Sequence, residues 1–217
     1  NSVFAIVGES GSGKSTIAKL MAGFFDADDG RIYFGNQDVK SIPISQLMKH
    51  VAYVAQDNFL FDTSIRENLK IAKADATDEE IQAALKAANC LELIERLPEG
   101  LNSNAGDCGK FLSGGERQRI TLARAMLADA QCIILDEATA YADVENEAKI
   151  QEALSRLMKD KTLIVVAHRL NTIVGADQIM VLGHGKIESI GTHKELIQNS
   201  SAYQKLWQSY SGKEVVE

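Results

Sequence analysis

Val3-Phe4-Ala5-Ile6-Val7-Gly8-Glu9-Ser10-Gly11-Ser12-Gly13-Lys14-Ser15-Thr16 is the stretch whose reading decides the fold. Its first five residues are continuously apolar, rich in β-branched side chains and closed by glycine, which suits a strand buried on both faces. Gly8 to Ser15 then fits GxxxxGK[ST], in which glycines let successive backbone N–H groups converge on phosphate oxygens that side chains would otherwise obstruct. From Ser15 onward Ile17, Leu20 and Met21 recur at helical spacing, and Gly23 offers a stop. Strand, glycine loop and helix in that order is the context that phosphate binding demands, because the helix N-terminus adds its partial positive charge. Lys14 is expected to bridge β- and γ-phosphates and the Ser15 hydroxyl to ligate Mg²⁺. The bland alternative is a glycine-rich turn that only caps a helix. Taken alone, the motif implies a P-loop nucleotide-binding protein and no more.

Outward from this loop, strands and helices alternate. Arg31 to Phe34 and Val51 to Ala55 are strand candidates with Gly35-Asn36 as turn formers between them. From about Thr63 to Leu97 the pattern is helical, with Ile81, Ala84, Leu85 and Ala88 on one face. Ser113 to Leu127 reads as a helix, Cys132 to Leu135 as a buried strand, Val144 to Leu157 as a charged amphipathic helix and Thr162 to Ala167 as a strand. Ile179 to Leu182 and Ile187 to Ile190 flank Gly183-His184-Gly185-Lys186 as a hairpin, and His193 to Tyr210 is expected to close the chain as helix. The sum is an α/β protein with a mainly parallel sheet.

Composition narrows the classes. The 217 residues carry 23 basic and 30 acidic side chains, a net charge of -7, which argues against a nucleic-acid partner. Cys90, Cys108 and Cys132 are far apart and form no CxxC, so reduced thiols in a cytosolic setting are expected. No apolar run approaches the length needed to cross a bilayer, so membrane association is expected to come through a partner. The apolar run follows Asn1 almost at once, as though the chain entered partway through a sheet, and we read it as a fragment of a longer polypeptide.

Three more groups end apolar strands. Cys132-Ile133-Ile134-Leu135-Asp136-Glu137 delivers two carboxylates at the edge where open α/β sheets bind ligands. Asp136 is placed to hold Mg²⁺ and Glu137 to accept a proton from the water attacking the γ-phosphate. Without the P-loop, such a pair would be read as a helix cap. Gln56, after Val51 to Ala55, can ligate Mg²⁺ or position water, and a neutral His168, after Leu163 to Ala167, can hydrogen-bond a γ-phosphate oxygen.

Leu112-Ser113-Gly114-Gly115-Glu116-Arg117-Gln118-Arg119 is the most specific feature. Ser113 and Glu116 make a capping box at a helix start, and two glycines leave the amides uncovered, a second anion-binding helix N-terminus. With this motif the whole set resembles the ATP-binding domains of ABC transporters, whose signature is LSGGQ or LSGGE. The resemblance covers nearly the whole chain and implies a RecA-like P-loop core at about 1–61 and 128–217, a helical subdomain at 62–127 and a small antiparallel β part. It implies Walker A at Gly8 to Ser15, followed by Thr16, the Q-loop at Gln56, the signature at Leu112 to Glu116, Walker B at Ile133 to Asp136, the catalytic Glu137, the D-loop Asp143 and the switch His168. ATP and Mg²⁺ are the implied cofactors. Two such domains pack head to tail, so Ser113, Gly114 and Gly115 would serve the partner's nucleotide.

Phe61-Asp62-Thr63-Ser64-Ile65-Arg66-Glu67-Asn68-Leu69 and Gly191-Thr192-His193-Lys194-Glu195-Leu196 resemble exporter-type proteins, in which the ATPase follows a transmembrane domain on the same polypeptide. The resemblance implies a chain at the cytoplasmic face of a cell membrane, with Ser103 to Asp107 expected near the membrane domain. The family's adenine-stacking aromatic is expected upstream of Walker A, before the first residue of this stretch, so base recognition is not assigned to these residues. Ala55 replaces a common proline, and Ala140-Tyr141-Ala142-Asp143 departs from Ser-Ala-Leu-Asp, losing a hydroxyl and resembling bacterial exporter-fold proteins tied to siderophore uptake. Three functions stay open at this point: a transport ATPase, an ABC ATPase of DNA repair or ribosome work, and a nucleotide-gated cassette without turnover.

Overall fold

The computed structural model describes residues 2–136, 144–157, 161–167 and 170–211. It divides into two compact units, Asn1–Leu47 with Ile134–Glu137 and Thr162–Glu217, and Met48–Ile133 with Ala138–Lys161. The strands are β1 (Ser2–Val7), β2 (Tyr33–Phe34), β3 (Gln37–Asp38), β4 (Val51–Val54), β5 (Cys132–Asp136), β6 (Thr162–Val166), β7 (Gln178–Gly183) and β8 (Lys186–Gly191). The helices are α1 (Lys14–Met21), α2 (Ile44–Leu47), α3 (Ile65–Lys70), α4 (Asp78–Ala87), α5 (Leu91–Arg96), α6 (Gly114–Leu127), α7 (Val144–Leu157), α8 (His193–Asn199) and α9 (Ser201–Ser211). The main sheet has the order β4-β5-β6-β1-β7-β8, and β2 and β3 form a separate antiparallel pair.

In the first unit β1 is flanked by β6 and β7, both parallel to it, with Ala5 opposite Val165 and Ile179. Neighbours on both edges satisfy the backbone of this strand, and Ala5, Ile6 and Val7 are buried as the unbroken apolar run requires. The core here joins Ala5, Val7, Ile179, Val181, Leu196 and Tyr203, and Trp207 packs against it. The β7–β8 hairpin turns at His184 and Gly185, both with positive φ (49 and 74°), the signature of a turn whose twist matches its strands.

Two expectations need correction. The first strand after α1 covers only Tyr33–Phe34, because Gly35, at φ 58°, starts a two-residue loop and Phe34 pairs at once with Gln37. The expected closing helix, 193–210, is broken into α8 and α9 at Ser200. That residue is extended (φ -111°, ψ 108°), and its hydroxyl accepts from the Tyr203 amide at 3.2 Å, so it caps the next helix instead of continuing the last.

The second unit holds the helical stretch expected between Thr63 and Leu97, as α3, α4 and α5. Ile81, Ala84, Leu85 and Ala88 are buried, as their spacing predicts. Helix α6 buries most of its length, including Ile120, Leu122 and Ala123. Among the described helices, α4, α6 and α8 open with reciprocal capping boxes, Thr77 with Glu80, Ser113 with Glu116 and Thr192 with Glu195. No helix of the described residues is long and apolar enough to cross a membrane. The three cysteines are free thiols.

Candidate functional site

Within the first unit the glycine loop hangs between β1 and α1. Gly8 has φ 154°, and a Cβ there would lie 2.1 Å from the Leu182 carbonyl oxygen of β7, so only glycine fits so close to that strand. Gly13 sits left-handed (φ 101°) at the N-cap of α1 with no side chain capping the helix, which leaves its first amides open toward an anion. The Lys14 side chain is buried and folds back along the loop, its Nζ donating to the carbonyl oxygens of Gly8 and Glu9, each at 3.0 Å. Glu9, Ser10 and Gly11 are exposed, as is Thr16, on the open side of α1. The Ser12 hydroxyl is buried with no hydrogen-bond partner among the described residues.

From the far side of the sequence, β5 brings Asp136 to the same place. The Ser15 hydroxyl donates to Asp136 Oδ1 at 2.9 Å, and Asp136 is 4% exposed. A buried carboxylate beside a hydroxyl is a hard-oxygen donor set of the kind Mg²⁺ takes. Among the described residues no group of three or more His, Cys, Asp and Glu could hold a metal ion.

The second unit carries Gln56 and the signature. Gln56 is exposed just beyond the end of β4. Ser113, also exposed, caps α6: its hydroxyl accepts from the Glu116 amide at 3.3 Å, and Glu116 accepts from the Ser113 amide at 2.8 Å. Gly114 and Gly115 form the first two helical positions, so the expected capping box is present. Burial alone would raise the Glu116 carboxyl, but the Ser113 backbone amide, the Arg96 guanidinium and the Ser113 hydroxyl outweigh it and hold Glu116 below the ordinary carboxylate range. The Arg96–Glu116 ion pair was not legible from the sequence, since twenty residues separate the partners.

Comparison with known proteins decides the family. The profile of the family "ABC transporter" matches residues 1–140. The chain belongs to the ABC transporter family. It is 46% identical over 213 residues to the mycobactin import ATP-binding/permease protein IrtA of Mycobacterium tuberculosis, covering 98% of this chain and 25% of that protein. It is 47% identical over 204 residues to the ATP-dependent lipid A-core flippase of Haemophilus influenzae, covering 94% of this chain and 35% of that one. A bacterial Atm1-family ABC exporter with ATP bound superposes with a TM-score of 0.92 at 36% identity, over 97% of this chain and 37% of that chain. The fold is thus the P-loop NTPase fold of ABC proteins, and the chain is an ABC ATP-binding domain. It spans between a quarter and about a third of the length of these relatives.

Of the residues expected at the site, Gly8 to Ser15 and Asp136 are brought together in one unit, and Gln56 and Ser113 to Glu116 lie in the other. Glu137, Asp143 and His168 lie outside the described residues.

Proposed function

We propose that this ABC domain hydrolyses ATP and powers translocation across a membrane as the ATPase part of a longer polypeptide. The observation that carries the reading is the Ser15–Asp136 hydrogen bond at 2.9 Å, which joins the phosphate loop to the buried end of β5. Lys14 would bind the β- and γ-phosphates, Ser15 and Asp136 would hold Mg²⁺, with Gln56 proposed as a further ligand, and the ion would supply charge neutralisation at the phosphates. Glu137 takes the proton of the attacking water and His168 donates to the γ-phosphate. Asp143, with Ser113, Gly114, Gly115 and Glu116, serves the nucleotide across a head-to-tail dimer of two such domains.

The transmembrane domain is proposed as part of the same polypeptide, as the name of the ATP-binding/permease protein IrtA supports, and this chain is proposed to lie at the cytoplasmic face. On the second unit Phe59 and Phe61 are exposed and meet edge to face at 5.0 Å, and Phe111 is exposed as well. Exposed aromatics of this kind favour a protein contact, which we place near Ser103 to Asp107. In this reading residues 62–127 are the helical arm that presents Ser113, and 1–61 with 128–217 the nucleotide core.

The test is Mg²⁺-dependent ATP hydrolysis against protein concentration, for the parent protein and Glu137→Gln, with dimer formation followed by size. A rate that rises more steeply than linearly and vanishes in the variant, with ATP binding retained, is expected. ATP binding without turnover in the parent would leave a nucleotide-gated cassette in place of an ATPase.

A further inference from the structure

The β7–β8 turn leaves one backbone donor over. Its ladder closes with Gly183 opposite Lys186, so the two residues between them, His184 and Gly185, pair with no strand residue. The Gly185 amide instead donates to the Ser12 carbonyl of the phosphate loop at 3.2 Å. The same hairpin meets the loop at two more points, since a Cβ at Gly8 would strike the Leu182 carbonyl oxygen and one at Gly13 would lie 3.7 Å from Leu182 Cδ2. Elsewhere the loop has less behind it. An open cavity of about 700 Å³ runs along Glu9 to Ser12 and reaches the start of α9, so that side of the loop is not packed into the core. Loop, hairpin and α9 all belong to the first unit.

The Gly185 bond matters for the amide that follows Ser12. A trans peptide is planar and sets its carbonyl and its N–H in opposite directions, so a Ser12 oxygen held on the hairpin turns the Gly13 N–H away from the hairpin. The peptide before Ser12 is fixed within the loop, where the Ser12 amide donates to the Glu9 carbonyl at 3.1 Å, whereas the peptide after it is fixed from outside. Gly13 (φ 101°) has no Cβ to resist rotation of that plane. Rotated, the peptide would present an oxygen where a phosphate needs a donor. The turn that prevents this is specific, because His184 and Gly185 both have positive φ, 49 and 74°, which asparagine or glycine accepts and a β-branched residue does not.

We infer that Gly185 is a positioning residue of the phosphate site: from the tip of the β7–β8 turn its amide holds the Ser12–Gly13 peptide in the orientation that offers the Gly13 N–H to a nucleotide phosphate, and His184 keeps the turn in the shape that aims it. The inference rests on the reading of the glycine loop as the ATP-binding site. In the intact protein, a glycine inserted between His184 and Gly185 carries the amide away, His184→Val unseats it by opposing the positive φ, and His184→Asn keeps the turn. The first two are expected to raise the Kd for Mg-ATP about fivefold, the effect of losing one hydrogen bond. At saturating ATP kcat should stay within about twofold, because a bound phosphate itself holds the Gly13 amide. His184→Asn should bind ATP like the parent. In the nucleotide-free parent, hydrogen exchange resolved to single amides should show Gly185, exposed as it is, protected at least about tenfold over an unstructured chain. That measurement needs no variant and decides the matter if a turn variant fails to fold. An unchanged Kd in both turn variants, a loss of kcat in place of affinity, a His184→Asn as weak as His184→Val, or an unprotected Gly185 amide overturns the positioning role alone. A parent that binds no ATP removes the phosphate-loop reading and the positioning role with it.

Discussion

Replacing Gly8 by alanine tests whether the phosphate loop is fixed by its backbone's closeness to β7 or only by the freedom of glycine. An added Cβ would lie 2.1 Å from the Leu182 carbonyl oxygen and 2.8 Å from the Ser12 hydroxyl. The first neighbour is main chain in a strand registered to β1, with Val7 opposite Val181, so relief requires the two strands to part. Overpacking of that kind, added to a backbone angle alanine avoids, costs about 3–5 kcal/mol. Gly11 is the internal control, since it is also left-handed (φ 78°) but a Cβ there meets nothing within 4 Å. Its replacement by alanine costs only the conformational strain, about 1–2 kcal/mol. For a chain of this size about 1 kcal/mol moves Tm by roughly 2–4 °C, so Gly8→Ala should melt on the order of 10 °C lower and Gly11→Ala roughly 2–8 °C lower. Thermal unfolding followed by the fluorescence of Trp207, the only tryptophan of the chain and packed on the core of the same unit, reads the difference. Equal losses for the two variants would refute the close-approach argument and leave glycine's flexibility as the whole explanation.

Lys14→Ala removes the ammonium that lies along the Gly8 and Glu9 carbonyls, and nucleotide affinity measured by titration calorimetry should fall by at least about tenfold, a lost charged hydrogen bond being about 1.5–3 kcal/mol; tight Mg-ATP binding would argue against the loop's role. Ser113→Ala deletes the cap of α6 and should cost about 1 kcal/mol in denaturant unfolding, with ATP binding to the monomer spared and turnover impaired; an unaffected rate in a homodimer would count against a site shared between two copies. Because the folded Glu116 carboxyl titrates below its ordinary value, its contribution is present above the unfolded pKa of about 4.3 and disappears as pH falls through the lower folded value. The stability gap between the parent and Glu116→Gln should accordingly be constant near neutral pH and close below about pH 4, and a gap that widened in acid would reverse the assignment.

What the sequence made legible was what neighbouring residues decide among themselves. The run Val3 to Val7, the glycine loop, the Ser113–Glu116 box and the His184-Gly185 turn each depend on a few consecutive side chains, and each is found where its chemistry predicts. The meeting of Ser15 with Asp136 is a long-range contact, yet it was readable because both residues end motifs whose strands share one sheet. Ser200 was not readable as a helix break, since a serine with its hydroxyl free to choose looks the same mid-helix as at a cap. The Gln37–Asp38 strand escaped because two polar residues carry no period. Asn58, Asn68, Thr121 and Arg124 escaped for another reason: their bonds span 7 to 63 residues, and no local pattern announces a partner so far away.

The recurrent boxes at Thr77, Ser113 and Thr192 carry an evolutionary corollary. Each writes the starting phase of its helix into four consecutive residues, independently of the loop before it. A lineage can therefore lengthen or shorten the stretch between Arg96 and Leu112 without rotating Ser113 about its own helix axis. Such a chain can drift in those loops while the direction in which the helix presents its serine is inherited unchanged.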